Sequence, residues 1–133
     1  MDDFYKENIL DHYRNPRNAG TLEEPTHTHE SHNPLCGDVI RIDLHINENN
    51  LVDKVTFEGK GCAISQASAS MLTEMIEGKS LDEVKQISKE DILELLGIPI
   101  GPVRMKCALL SLKALKAGVY GVEEFDLEED EDW

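Results

Sequence analysis

Apolar and polar residues alternate most regularly in the middle of the chain. Over 39–47, aliphatic residues at the even positions alternate with charged or polar residues at 41, 43, 45 and 47, which predicts a strand with one buried and one wet face. A turn rich in asparagine follows, and 51–58 alternates again. We therefore predict an antiparallel hairpin. Helices must cover its apolar face, because an isolated hairpin is marginal in water.

Other stretches place apolar residues at helical spacing or carry helix start and stop signals. A serine with an acidic residue three positions later forms a predicted capping box before two of these helices, and Pro102 suits the first position of the last one. We interpret 59–61 as a flexible hinge. We interpret 17–34 as a loop, because it shows no convincing periodicity. The predicted helices cover 3–14, 62–77, 81–87, 88–97 and 102–117.

The order of these elements indicates the fold class. One helix, two or three strands and then four helices indicate an α+β domain, a small antiparallel sheet of about three strands covered on one face by helices. At 133 residues the chain is long enough for one domain with its own core. We assign 1–122 to this domain and 123–133 to an acidic C-terminal tail.

The charge of the chain restricts its partners. The formal net charge is −14, and 123–132 contain carboxylates and no basic residue, which is typical of a solvated end. Nucleic-acid binding is not expected, because phosphate contacts need a basic surface. A partner with a basic face is favoured.

The cysteines indicate a reducing environment. Their number, three, argues against a disulfide framework in a chain of this size. The first helix carries charged residues where a signal peptide would need an apolar run, and no stretch is apolar enough to span a membrane. We therefore expect a cytoplasmic protein whose thiols stay free for metal binding or sulfur chemistry.

Four side chains are candidate metal ligands. Cys36 and Asp38 lie two positions apart, so in extended chain they point to the same side, and Gly37 lets the backbone bend. Cys62 and Cys107 lie at or near predicted helix starts, where the helix dipole stabilises a thiolate. Three thiolates and a carboxylate suit tetrahedral zinc or an iron–sulfur cluster. The spacing alone leaves separate buried structural cysteines as an alternative.

The residues around these ligands resemble the iron–sulfur cluster assembly scaffold family, which comprises IscU, SufU and the N-terminal domain of NifU. The first helix and its Asp11-His12-Tyr13 run also look like that family. The resemblance covers about 3–119 and implies an IscU-like fold of the SufE/NifU superfamily. The segments that carry it are Asn-Pro-Leu-Cys-Gly-Asp at 33–38, Phe-Glu-Gly-Lys-Gly-Cys-Ala-Ile-Ser at 57–65 and Pro-Val-Arg-Met-Lys-Cys-Ala at 102–108.

The resemblance implies a function. Family members receive iron, and sulfur as a persulfide from a cysteine desulfurase, build a [2Fe-2S] cluster and transfer it to acceptor proteins. Carried over by position, the ligands are Cys36, Asp38, Cys62 and Cys107. Members also often hold zinc at this site in the cluster-free form. This predicts an assembly scaffold and sulfur or cluster carrier, without an enzymatic turnover of its own. The sequence leaves a homodimer open.

The chain combines features of two branches of the family. Lys106 stands where IscU proteins have histidine, as in SufU-like members, yet the interval between Cys62 and Cys107 looks too short for the SufU insertion. The persulfide acceptor is predicted to be Cys107, as in IscU, with Cys36 as the SufU-like alternative. An ammonium beside a thiolate makes it a better nucleophile, so Lys106 is a candidate for activating Cys107. A solvated helix lysine is the alternative.

Two further features bear on partners and ligands. The segment that IscU proteins present to a chaperone as Leu-Pro-Pro-Val-Lys begins here at Ile100 and ends at Arg104, and its first proline is lost. Chaperone use is therefore left open. Three histidines in the predicted loop, His27, His29 and His32, are weaker metal candidates. His45 is expected to be inert on the wet face of the strand, and His12 is expected to pack at a helix surface.

The main alternative function is a zinc-dependent sulfur acceptor that activates a cysteine desulfurase, as SufU-like proteins do. A hydrolytic zinc enzyme is disfavoured, because four protein donors leave no open position on the metal. The deaminase signature of thiolate-bound zinc is also absent from the sequence.

Overall fold

The computed structural model describes residues 2–33 and 37–121. A three-stranded antiparallel sheet carries helices, which confirms the predicted α+β class. The elements are α1 (Asp2–Arg14), β1 (His27–Asn33), β2 (Asp38–Ile46), β3 (Val52–Lys60), α2 (Ala63–Ile76), α3 (Leu81–Lys85), α4 (Lys89–Leu96) and α5 (Pro102–Tyr120).

The sheet has the order β1-β2-β3, so β2 is the central strand. Helix α5 packs over β1 and β2, α2 packs over β3 and against α5, and α1 packs on α2. The core lies between this helix layer and the inner face of the sheet, with Ile40, Ile42 and Leu44 of β2 almost fully buried. The predicted hairpin and its asparagine turn are confirmed.

The termini of the helices follow the sequence signals. Ser80 and Ser88 each close a complete capping box, and Gly97 ends α4 in the left-handed conformation. Helix α5 begins at Pro102 as predicted but runs on to Tyr120. None of the helices in the described residues combines the length and apolarity needed to cross a membrane.

The loop predicted over 17–34 is wrong for its second half, which forms β1. This strand contains no aliphatic residue and no phenylalanine, tyrosine or tryptophan, so hydrophobic alternation could not reveal it. Its inward positions near the end are Ser31 and Asn33, which are buried under the helix layer. Pairing with β2 along its whole length explains why such a polar segment is extended.

The predicted wet face of β2 is also partly wrong. Asp43 on that face is only 1% exposed. Residues 18–20 run beside the edge of β3, where Gly20 N–H donates to Phe57 O, and the chain then crosses to β1. On the way, Leu22 N–H donates to the Asp43 carboxylate. The loop therefore covers one part of a face that local alternation marks as solvated.

Glycine 59 belongs to β3 and not to the predicted hinge. It pairs with Ile40, and a Cβ at this position would lie 2.0 Å from the carbonyl oxygen of Val39. The strand therefore continues to Lys60 because glycine allows this close approach. The change of direction is confined to Gly61 and Cys62, directly before α2.

Candidate metal centre

Three of the four predicted ligands meet at one end of the sheet. Asp38 is the first residue of β2, Cys62 is the N-cap of α2, and Cys107 lies in the second turn of α5. One carboxylate oxygen and the two Sγ atoms all lie within 4.8 Å of one another. Cys36 lies outside the described residues. The structure thus brings together three distant segments, and the role of these side chains as ligands stays a prediction.

The turn between β3 and α2 is built around the Asp38 carboxylate. A Cβ on Gly61 would lie 2.6 Å from both Cγ and Oδ1 of Asp38 and 2.6 Å from Ser65 Oγ. Any side chain larger than hydrogen would therefore push the carboxylate away. With its amide oxygen turned toward the chain, Gln66 accepts from Lys60 N–H and Gly61 N–H at 3.3 and 3.2 Å. These contacts hold the backbone of the turn that leads to Cys62.

Backbone contacts join the end of β1 to the start of β2. Asn33 and Asp38 form the last pair of the β1–β2 ladder, and Gly37 N–H donates to Asn33 O at 2.8 Å. Gly37 has a φ of 73°, in the left-handed region that glycine adopts without strain. The segment that contains Cys36 therefore starts and ends beside the other candidate ligands.

The buried environment of the Asp38 carboxylate would suit a bound cation. It is 3% exposed, and no donor in the described part of the chain reaches its Oδ2. A buried oxygen without a partner is unfavourable by about 1–3 kcal/mol. The two thiol groups nearby add negative charge once deprotonated, and a metal ion offsets this repulsion and satisfies the orphaned oxygen. The donor set therefore fits a thiophilic metal or cluster.

The two described thiols differ in environment. Cys62 is half-buried at the start of α2, where unpaired backbone N–H groups favour negative charge. Cys107 is 3% exposed, and the Asn33 side-chain amide donates to its Sγ at 3.6 Å. Lys106 is exposed, whereas Cys107 points into the protein. Activation of Cys107 by Lys106 stays a prediction.

The histidines do not join this group among the described residues. His27 and His29 are half-buried, and burial together with the nearby Lys85 charge lowers the pKa of His27. His32 is exposed and contacts Glu30 at 3.1 Å, and His45 contacts Asp53 at 2.6 Å. The structure therefore gives the metal-ligand role of the loop histidines no support.

His12, which was expected to pack at a helix surface, is buried between two helices. It is 5% exposed between α1 and α2, with Nδ1 2.8 Å from Ser70 Oγ and Nε2 3.4 Å from Glu74. Burial and the Arg17 charge lower its pKa, and they outweigh Glu74 and Asp11. On α1, Ile9 and His12 therefore face inward, whereas Tyr13 is exposed.

Sequence reasoning missed the roles of Asn33, Gly61 and Gln66 around the site. Asn33 belongs to the motif around Cys36, and Gly61 directly precedes Cys62, so their positions were a usable signal. Their contacts reach across the fold, to Cys107 and Asp38 respectively. Those contacts could not be read from neighbouring residues.

Comparison with known proteins identifies what the chain resembles. The model of the family described as "NifU-like N terminal domain" matches residues 4–127. The chain is 40% identical to the zinc-dependent sulfurtransferase SufU of Bacillus subtilis, covering 90% of this chain and 91% of that protein. It is 37% identical to the iron–sulfur cluster assembly scaffold protein IscU of Escherichia coli, covering 86% and 91% respectively.

Solved structures give the same result. A putative iron–sulfur cluster assembly scaffold protein for the SUF system from Fervidobacterium islandicum superimposes with a TM-score of 0.75 at 28% identity, covering 85% of this chain and 94% of that one. The N-terminal part of a nitrogen-fixing NifU-like protein from Brucella abortus gives 0.73 at 26% identity, covering 92% and 96%.

Proposed function

Because the chain belongs to the NifU-like N-terminal domain family, we propose that it is a scaffold on which iron–sulfur clusters are assembled and from which they are transferred to acceptor proteins. The observation that carries the proposal is the convergence of Asp38, Cys62 and Cys107 within 4.8 Å, with an unsatisfied carboxylate oxygen among them. Cys36 completes the proposed ligand set for a [2Fe-2S] cluster. Iron and sulfur are the cargo of the site.

The mixture of ligands supports a transient cluster. Thiolates bind iron–sulfur clusters strongly, whereas the oxygen of Asp38 is a harder donor that suits the cluster less well. A site with one weak donor releases its cluster more readily than a site with four thiolates. The carboxylate therefore favours transfer over permanent storage.

Sulfur delivery requires a persulfide exchange. A thiolate of this chain attacks the terminal sulfur of a desulfurase persulfide, a new S–S bond forms, and the desulfurase thiolate leaves. Each transferred sulfur then needs two electrons from an external reductant, such as a thiol or a reduced electron-transfer protein, to become sulfide. We propose Cys107 as the acceptor, with Cys36 as the alternative. Because Cys107 is 3% exposed, transfer to it requires local opening around the thiol.

The proposed partners are a cysteine desulfurase and cluster-accepting proteins. Ile100 and Gly101 directly precede α5, the helix that carries Cys107, and 102–104 form the first turn of that helix, in which Val103 is 81% exposed. This exposure supports contact between the segment and a partner, including a chaperone. A homodimer, a cytoplasmic location and the division at residue 122 stay predictions.

Anaerobic reconstitution tests the scaffold role. The protein with desulfurase, cysteine, a reductant and ferrous iron is expected to develop the visible absorption of a [2Fe-2S] species. The control is the same mixture without the desulfurase, in which little sulfide is available for a cluster. Colourless protein after complete sulfur release by the desulfurase would contradict the proposal.

A second candidate is a zinc-dependent sulfur acceptor that activates the desulfurase. The identity of 40% to a protein named as a zinc-dependent sulfurtransferase favours it, as does Lys106. The aligned region of 136 residues is longer than this chain, so the alignment includes positions at which SufU has residues that are absent here. Two results together would identify this function instead. The zinc form would stimulate the desulfurase in the absence of iron, and no cluster would form when iron is then added.

A further inference from the structure

Asn33, the last residue of β1, contacts two of the segments that carry candidate ligands. We infer that Asn33 is a positioning residue that donates an N–H···S hydrogen bond to the metal-bound thiolate of Cys107 and holds that sulfur in register with Asp38. The inference rests on the metal site proposed above. It concerns a residue that is not itself a ligand.

The side chain supplies the first contact. Asn33 Nδ2 lies 3.6 Å from Cys107 Sγ, a normal distance for a hydrogen bond to the larger sulfur atom. Asn33 is 4% exposed and Cys107 is 3% exposed. Water therefore has little access to this sulfur from solvent, and a donor provided by the protein has a correspondingly larger effect.

The backbone supplies the second contact. The carbonyl oxygen of Asn33 accepts from Gly37 N–H, and Asn33 is paired with Asp38 across the β1–β2 ladder. The same residue thus holds the base of the turn before Asp38 and contacts the sulfur on α5. Displacing its side chain changes the distance between two ligands that belong to different elements.

The chemistry favours an amide at this position. A metal-bound thiolate is negatively charged and accepts hydrogen bonds but does not donate them. The amide N–H stabilises that charge without adding a charge of its own, and hydrogen bonds to ligand sulfurs tune the electronic properties of metal–sulfur sites. A carboxylate here would repel the thiolate, and an aliphatic side chain would leave the sulfur without this donor.

Two variants with the same side-chain branching separate these effects. Asn33→Leu keeps the number of heavy atoms, although its methyl groups are larger, and removes the donor, and Asn33→Asp keeps the shape and replaces the donor with a negative charge. The probe is Co²⁺ alone, titrated anaerobically into metal-free protein against a chromophoric chelator, with the sulfur-to-cobalt charge-transfer bands recorded. We expect Asn33→Leu to lower the affinity about 10-fold and Asn33→Asp to lower it by up to about 100-fold.

Ser31→Ala provides the matched control. Ser31 lies two positions earlier on the same buried face of β1, so its substitution reports the cost of perturbing this strand without touching the sulfur contact. The control is expected to keep the cobalt affinity and band positions of the original protein. Urea unfolding of each metal-free variant shows separately how far the fold is weakened.

The outcomes distinguish this inference from the proposed function. If the original chain binds Co²⁺ through sulfur and Asn33→Leu binds it as tightly as Ser31→Ala, the positioning role is overturned and the scaffold role stands. If the original chain shows cobalt–sulfur bands but never assembles a cluster, the scaffold role fails while the Asn33 comparison is still decided by the affinities. If the original chain shows no cobalt–sulfur bands, both fail.

Discussion

Strand β2 carries two buried carboxylates that differ in their hydrogen-bond partners. Asp43 is 1% exposed, and its oxygens accept hydrogen bonds from Thr28, Arg41 and Leu22. Asp38 is 3% exposed, and no donor within the described residues reaches its Oδ2. Within the described residues, the protein therefore satisfies the oxygens of Asp43 with its own groups and leaves Asp38 Oδ2 without a donor.

The difference distinguishes a carboxylate with a structural role, Asp43, from one that we propose as a metal ligand, Asp38. Burial alone would raise the pKa of Asp43, but the hydrogen bonds from Thr28 and Arg41, together with Leu22 N–H, outweigh it and lower the pKa. Asp43 thus stabilises the folded chain in its charged form. In the role that we propose for it, Asp38 contributes to metal binding at some cost to the stability of the metal-free fold, as expected where function and stability compete.

The largest expected effect concerns stability. Asp43→Ala should lower the free energy of unfolding by about 3 kcal/mol, because it removes hydrogen bonds to a charged group, while the partly exposed Arg41 regains water. Asp38→Ala should leave the metal-free protein within about 1 kcal/mol of the original, or stabilise it. Urea unfolding in the presence of chelator measures both. Equal decreases in the free energy of unfolding for the two variants would contradict the proposed difference between Asp43 and Asp38.

A second prediction tests the space reserved for Asp38. Gly61→Ala should weaken Co²⁺ binding about 10-fold, because the added Cβ would lie 2.6 Å from Asp38 Oδ1 and would displace the carboxylate. Gly20→Ala is the matched control, since Gly20 shares the positive φ that disfavours alanine, 139° against 157° at Gly61, but a Cβ there meets nothing within 4 Å. Similar Co²⁺ affinities for the two variants would mean that metal binding does not depend on the observed location of the Asp38 carboxylate.

A third prediction concerns cluster release. Asp38→Ala should lengthen the half-life of the assembled [2Fe-2S] chromophore several-fold in the presence of a chelator, because no weak oxygen donor remains for solvent to displace. The decay of visible absorbance measures the half-life. A shorter half-life in the variant would show that the carboxylate retains the cluster.

The smallest effect extends the comparison to a buried histidine with partners of its own. Because burial and Arg17 lower the pKa of His12, its contribution to stability is complete above its ordinary pKa of 6.5 and is lost as the pH falls through the lower folded value. The thermal midpoint should therefore fall by a few degrees between pH 7.5 and 5.5. This decrease should be smaller in His12→Gln, and an identical decrease would assign it to other groups.

The sequence predicted those features whose cause is local. The central hairpin follows from alternation in β2, both capping boxes follow from residues three positions apart, and the start of α5 follows from Pro102. The candidate ligands were recognised because their flanking residues resemble a family. Local signals were sufficient for the hairpin, the capping boxes and the start of α5.

Features that depend on distant contacts could not be predicted in this way. Strand β1 is extended because it pairs with β2, although its own residues are polar. Asp43 is buried because a loop from the other edge of the sheet crosses it, and His12 is buried because α2 presents Ser70 to it. The Asn33 contact with Cys107 joins residues 74 positions apart. In each case the partner, and not the residue itself, decides the environment.

The central claim is that Asp38, Cys62 and Cys107, together with Cys36, hold an assembled cluster. The most direct test is the iron, zinc and acid-labile sulfide content of the protein after anaerobic isolation and desulfurase-dependent assembly. The account predicts iron and sulfide in equal amounts, and their loss in Cys62→Ser and Cys107→Ser. Bound zinc without sulfide, in the presence of excess ferrous iron and released sulfur, would contradict it.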